Sequence, residues 1–175
     1  MTREGCWDIR FRSIVAILAI YLGSDDLVGE AAALQADGKL VVAGRREAAD
    51  REWGLLVRLD SNGILDPTFH NDGLRDFGFP GTTDDDVAHA VAVQPDGKLL
   101  AAGASTTAGN SSFSLYRFLG DGQFDASFGN NGRKLADFGS DSDIAWAAAI
   151  QADGKDPAGR RIGRRLCVGP VQLRQ

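Results

Sequence analysis

Gln35-Ala36-Asp37-Gly38-Lys39-Leu40 returns as Gln94-Pro95-Asp96-Gly97-Lys98-Leu99, and a third time as Gln151-Ala152-Asp153-Gly154-Lys155. The spacings are 59 and 57 residues. Self-similarity at a fixed period is the mark of a repeat architecture, and it orders everything else in the chain. Working outward, the 59-residue offset also relates Gly44 to Gly103, Arg58 to Arg117, Gly63 to Gly122, Asp66 to Asp125, Phe69 to Phe128 and Gly73 to Gly132. Between Asp25 and Gly73, about 20 of 49 positions equal their partners, far above chance.

Each unit reads as four short strands. In the second, Val87–Val93 is apolar and β-compatible. Pro95-Asp96-Gly97-Lys98 then supplies a tight turn, because Gly accepts positive φ at no steric cost. Leu99–Gly103 returns as a strand rich in small residues, which lets backbones approach closely. Phe113–Phe118 alternates like a half-buried strand. Gly120-Asp121-Gly122 turns the chain, Phe124–Gly129 forms a loop whose two aromatics plug into the core, and Gly132–Phe138 is the fourth strand. The first unit repeats the plan with Leu55–Leu59, Ser61-Asn62-Gly63, Leu65–Phe69 and Gly73–Phe77. Ala145–Ile150 has helical propensity, but its counterparts in the other units read as strand.

Four strands in 57–59 residues is the size of one β-propeller blade. The fold class expected is therefore all-β: a β-propeller segment of about two four-stranded antiparallel blades plus a partial third. Blade 1 covers 25–83, blade 2 covers 84–140, and 141–155 starts a third repeat. Blades are stabilised by stacking on their neighbours, so two alone should leave apolar faces and strand edges bare.

The recurring pattern is Gln-x-Asp-Gly-Lys-Leu…Ala-Gly, then Arg-Leu/Phe…Gly-x-x-Asp-x-x-Phe…Gly. Gln94, Asp96, Gly97, Lys98, Leu99, Ala102, Gly103, Arg117, Gly122, Asp125, Phe128, Gly129 and Gly132 carry it in the second unit. It resembles the delta-60 repeat family of bacterial β-propellers over Asp25–Lys155. The resemblance implies a propeller scaffold within a large, often exported or surface-displayed chain, and it implies no activity. His70 departs from the pattern by standing where Gly129 stands, which is expected to alter one loop.

The ends do not follow the repeat. Residues 156–175 carry five Arg and one Asp, and Asp156-Pro157 interrupts the strand that the pattern demands. Out-of-frame reading is one account of this Arg-rich segment; a divergent tail and a basic tail for an acidic partner are the others. Residues 1–24 are also atypical. Arg10 and Arg12 precede the apolar Ile14–Leu22, as in a secretory signal or anchor, but Glu4 and Asp8 dilute the basic region; an extra strand beside the first blade and a mis-framed start are the alternatives. Cys6 and Cys167 fall one in each terminal segment, with no CxxC or Cys/His metal spacing.

Charge narrows the partners. Asp25–Lys155 carries 21 acidic and 11 basic residues, which disfavours nucleic acid as a ligand of the repeats. No run of 18 apolar residues exists, so no integral membrane span is expected. Carboxylates cluster ahead of the first strand of each unit. Asp84, Asp85, Asp86, Asp141 and Asp143 are the candidates for Ca²⁺, set against a reading as solvated turn residues. Arg58 with Asp66, and Arg117 with Asp125, suit intra-blade ion pairs. His89 reads as a tolerated core or edge residue, and Trp53 and Trp146 as blade packing or exposed sugar platforms. Gly-x-Ser-x-Gly and phosphate-loop patterns are missing, so no catalytic or cofactor-binding residue is expected. The sequence thus reads as a non-catalytic scaffold or interaction module whose partners are other blades or copies of itself. The alternative is a Ca²⁺- or glycan-binding propeller of a surface or secreted protein.

Overall fold

In a computed structural model of the chain, the described residues are 26–48, 51–78, 85–107, 109–136, 142–150 and 166–167. The Asp-Gly turns set the register from which each unit grows. Gly38 and Gly97 adopt φ of 83° and 82°. The amides of Gly38 and Gly97 donate to the carbonyls of Gln35 and Gln94, while Gln35 and Gln94 donate to Lys39 and Lys98 at 2.8 Å. Asp37 and Asp96 accept from the Lys39 and Lys98 amides, which makes the aspartates turn residues, as their position before Gly requires.

From these turns run β1 (Asp26–Leu34) and β2 (Leu40–Ala48) in the first unit, and β5 (Asp86–Val93) and β6 (Leu99–Thr107) in the second. The third and fourth strands are β3 (Arg51–Leu59) and β4 (Leu74–Phe77), then β7 (Asn110–Phe118) and β8 (Arg133–Ala136). Each unit is a four-stranded antiparallel sheet with strands in sequence order. The second and third strands are longer than sequence patterning gave, because their polar outer ends still pair: Glu47 opposes Glu52, and Thr106 opposes Ser111. Among the described residues no helix is long and apolar enough to cross a membrane.

The two sheets stack through one shared core. Val41, Ala43, Leu56, Phe69 and Phe77 from the first unit meet Ala88, Leu99, Ala101, Tyr116 and Phe118 from the second. The Phe77 ring lies 4.6 Å from Tyr116 and 5.2 Å from Phe118. Each such pair adds about 0.5–1.5 kcal/mol beyond the area it buries. Phe69 is fully buried at this seam, as expected of the loop aromatics, whereas Phe124 and Phe128 are partly buried.

The bare apolar faces expected of a two-unit stack are not what the structure shows. On the far side of the second unit, Ala145 of the third unit seals Leu100, Ala102, Phe113 and Leu115, with Ala148 and Ile150 packed alongside. On the far side of the first unit, Val42, Leu55, Val57 and Leu59 are also buried. Among the described residues, the large apolar side chains that remain exposed are Leu34, Ile64, Leu119, Leu135 and Trp146.

The third unit contributes β9 (Ala149–Ile150), which pairs antiparallel with β10 (Leu166–Cys167). Ile150 opposes Leu166, as Leu34 opposes Leu40 and Val93 opposes Leu99. Two residues of the Arg-rich segment thus take the register of the second strand of a unit. The helical propensity of Ala145–Ile150 is overridden by this tertiary setting. The expectations for residues 1–24, for Asp84 and Asp141, and for the rest of 156–175 lie outside the described residues.

Candidate functional site at the inner strand edges

The repeated motif residues converge into one polar cluster per unit. Asp66 pairs with Arg58 Nε at 2.8 Å and with Lys39 Nζ at 2.9 Å as ion pairs, and accepts hydrogen bonds from the amide and hydroxyl of Thr68 at 3.0 and 2.7 Å. Asp125 accepts from Arg117 Nε at 2.8 Å, Lys98 Nζ at 3.0 Å, and the amide and hydroxyl of Ser127 at 3.0 and 2.6 Å. The expected Arg–Asp pairs therefore form. The lysine of the Asp-Gly-Lys turn joins them, which was not read from the sequence. For Asp66, burial raises the pKa, but Lys39, Thr68 and Arg58 outweigh it and hold the carboxyl well below its usual range. For Asp125, the Ser127 hydroxyl leads the same downward shift, with Lys98 and Arg117 adding to it. A carboxylate so saturated with donors is a clamp between strands, not a proton donor at neutral pH.

Arg58 extends the cluster across the seam. Its Nη1 donates to the Gly120 carbonyl, and its guanidinium lies 4.7 Å from the Phe69 ring centroid. Phe69 in turn packs on Gly122, where an added Cβ would meet the ring at 2.9–3.1 Å. The His70 amide donates to the Asp121 carbonyl at 2.9 Å. His70 itself adopts φ 49°, the left-handed region that Gly129 occupies at φ 57°. Its Nδ1 lies 3.1 Å from the Leu74 carbonyl and its Nε2 contacts Arg75 Nη1. The next left-handed residue differs between the units, Asn71 at φ 75° in the first and Asn131 at φ 50° in the second, so this loop is altered, as expected.

The acidic clusters resolve into individual jobs. Asp86 is not a solvated turn residue: it is fully buried, accepting from the Tyr116 hydroxyl at 2.8 Å and from Arg51 at 3.3 Å. Burial first, then the charge and hydrogen bond of Asp86, push the Tyr116 phenol far above its usual range. Asp85 Oδ1 accepts from the Glu52 amide at 2.8 Å. The Asp143 amide donates to the Ser111 carbonyl at 2.7 Å. A Ca²⁺ ion at Asp84–Asp86 would have to take oxygens from Tyr116, Arg51 and Glu52. Among the described residues, no group of three or more His, Cys, Asp or Glu side chains is placed to hold a metal.

A different set of residues meets where the inner strands approach one another. The β1–β2 register slips between Gly29 and Ala31, and the β5–β6 register slips between Ala88 and Ala90. Glu30 and His89 are thus the bulged residues, one per unit. Trp146 is at the same repeat position in the third unit. Gly44 and Gly103 make the bulges possible, because a Cβ there would land on the backbone of Val28 and Val87. A bulge removes a residue from the strict in-out alternation, so Glu30 and His89 leave the two-faced pattern of their strands, while Trp146 precedes β9 and meets His89 from there.

There the His89 ring lies 4.4 Å from Trp146 at an interplanar angle of 31°, and its Nδ1 lies 3.9 Å from Glu30 Oε2. Burial lowers the His89 pKa, which keeps the imidazole neutral at pH 7; Glu30 and Arg45 oppose each other in the balance. Glu30 is held by Arg45 at 2.7 Å, and Arg45 also reaches Glu52 at 2.9 Å and Glu47 at 3.5 Å. Burial raises the Glu52 pKa, with Arg45 opposing. Trp146 is 51% exposed and lies outside any strand, so it is not the blade-packing residue expected. Trp53 instead carries the Arg51 guanidinium 3.7 Å from its ring centroid. Sequence reading weighed His89 and Trp146 separately. The signal that joins them was present: both fall at the repeat offset of Glu30.

The other end of the inner strands offers a shallow cleft of about 420 Å³ between the two Asp-Gly turns, lined by Leu34, Gln35, Val93, Gln94 and Pro95 among others. No titratable cluster faces it beyond the turn residue Asp37.

Residues 35–69 and 94–128 each match the family model described as a domain of unknown function (DUF5122) beta-propeller. Each match runs from the Gln of an Asp-Gly-Lys turn to the Phe at the end of the aromatic loop, so it spans the clamp Lys, Arg and Asp of one unit. No curated protein matches the chain.

Proposed function

We propose that this all-β chain of β-propeller repeats is a non-catalytic scaffold or interaction module of the delta-60 repeat type, a part of a larger bacterial repeat protein. One observation carries the reading. The seam between the two blades is built from repeated parts, and copies of those parts stand ready on either side of it. Phe69 packs on Gly122 and Arg58 donates to Gly120; the matching Phe128 and Arg117 are less buried, and the matching Gly63 has open space around it. A blade added at either side would find the same socket or plug.

The motif residues also support a scaffold. Lys39, Arg58, Asp66, Thr68 and their partners in the second unit are consumed in strand-to-strand clamps, and Asp86 and Tyr116 in seam contacts. The test is a covalent tandem of two copies of the chain. Stacked repeats gain stability from each new interface, so the tandem should melt in one transition above the melting temperature of the single chain. Two copies that melt independently at the single-chain temperature would contradict the scaffold reading.

The second reading, a ligand-binding propeller, draws its support from the half-exposed indole of Trp146 at the inner edge. Its calcium form would have to compete with Tyr116 and Arg51 for Asp86, and a melt repeated with added Ca²⁺ would reveal it as a rise in melting temperature.

A further inference from the structure

We infer that the inner edge at Glu30, His89 and Trp146 is a binding site for an organic ammonium cation. The inference goes beyond the scaffold reading and concerns the chain as given. Trp146 offers the platform. His89 covers one side of the indole, yet half of the residue remains accessible. Among the described residues the ring–cation contacts elsewhere are filled from within the chain, as at Trp53, Phe69, Phe124 and Phe128. No such contact is made at Trp146, whose indole would give the strongest attraction of any side chain.

The surroundings select the charge. Glu30, Glu47 and Glu52 gather around the single guanidinium of Arg45, and Asp85 adjoins Glu52. The nearby Arg51 and Arg46 are engaged by Asp86 and Asp76, so they do not offset this excess. The net negative charge of this group attracts a cation by Coulomb force and gives a neutral sugar no such gain. His89, the residue between the carboxylate and the indole, is kept neutral by burial and does not repel a positive ligand. The acidic balance of the repeats adds a field of the same sign.

The test uses the full chain titrated with tetramethylammonium chloride at constant ionic strength, read by tryptophan fluorescence and by saturation-transfer NMR of the methyl signal. A saturable response is expected, roughly tenfold weaker or lost in Trp146→Leu and weakened in Glu30→Gln. Trp53→Phe keeps the response, which separates the site from the Arg51-covered indole. Melting curves of the variants show that Trp146→Leu is folded; Trp146→Phe serves if it is not, again with weaker binding. A response that is absent, that is unchanged in Trp146→Leu, or that appears with N-acetylglucosamine in place of tetramethylammonium overturns the inference. Failure here leaves the tandem-repeat melt untouched, so the two readings fall separately.

Discussion

The two clamp aspartates occupy the same repeat position, yet their substitution by Asn should cost different amounts. In Asp66→Asn the amide keeps an acceptor for Thr68 but presents a donor to Arg58 and Lys39. Arg58 is the decisive neighbour. Its side chain is only 6% exposed, sandwiched between the Phe69 ring and the Gly120 carbonyl of the next blade. A buried guanidinium stripped of its carboxylate is worth about 3–5 kcal/mol, because it cannot turn to water. Arg117, in the equivalent pair, is 21% exposed, and Lys98 is 30% exposed. Water can take over part of the lost interaction, which places Asp125→Asn at about 1–2 kcal/mol, between the buried and surface limits. The predicted gap is about 2 kcal/mol, or about thirtyfold in the folding constant. Urea unfolding of both variants and the parent at pH 7, followed by circular dichroism, measures it. Equal costs within about 0.5 kcal/mol, or a larger cost for Asp125→Asn, would refute the argument that seam burial sets the strength of the clamp.

Two further outcomes follow from the same geometry. The folded pKa values of Asp66 and Asp125 lie below their unfolded values, so their stabilisation is complete above about pH 4 and is lost as pH falls below it. His89, also lowered, loses its contribution as pH falls below about 6.5, while Glu52 and Asp76, raised by burial, act with the opposite sign. Urea midpoints between pH 2 and 7 should therefore drop most steeply at the acid end, and Asp66→Asn should flatten that drop; an unchanged acid slope in the variant would count against the assignment. Separately, Gly103→Ala should abolish cooperative folding because its Cβ meets the Val87 backbone, whereas Gly97→Ala, with open space but φ 82°, should cost only about 1–2 kcal/mol. Thermal melts of the two variants decide this, and equal costs would remove the backbone approach at the bulge as the reason for Gly103.

The features most legible in the sequence were those that each unit spells identically. Asp-Gly gives a turn wherever it falls between apolar runs, and the loop Phe69 recurs as Phe128, so the four-strand plan, the turn aspartates and the Arg–Asp pairs could all be read from the sequence. Strand ends were less legible: Arg45–Glu47 and Ser105–Thr107 pair although their composition is polar. The burial of Asp86 was hidden because a carboxylate in an Asp run resembles a turn, and only the position of Tyr116 and Arg51 across the seam reveals its partners.

The inner-edge residues were hidden for the opposite reason. Searching for identity between units selects side chains that build blades, since every blade needs the same turn, clamp and seam. Glu30, His89 and Trp146 share a position and differ in type, so a search for sameness passes over them. What the units do share is the device that exposes that position: Gly44 and Gly103 let the first strand bulge against the second. Backbone repeated with variable side chains is how a repeat fold separates stability from recognition. The glycine fixes where the bulge falls, and the side chain carried there differs from one unit to the next. In a chain of this kind, the glycine opposite the bulge marks the recognition position, and the residues that disagree across units at that position are the ones to mutate first.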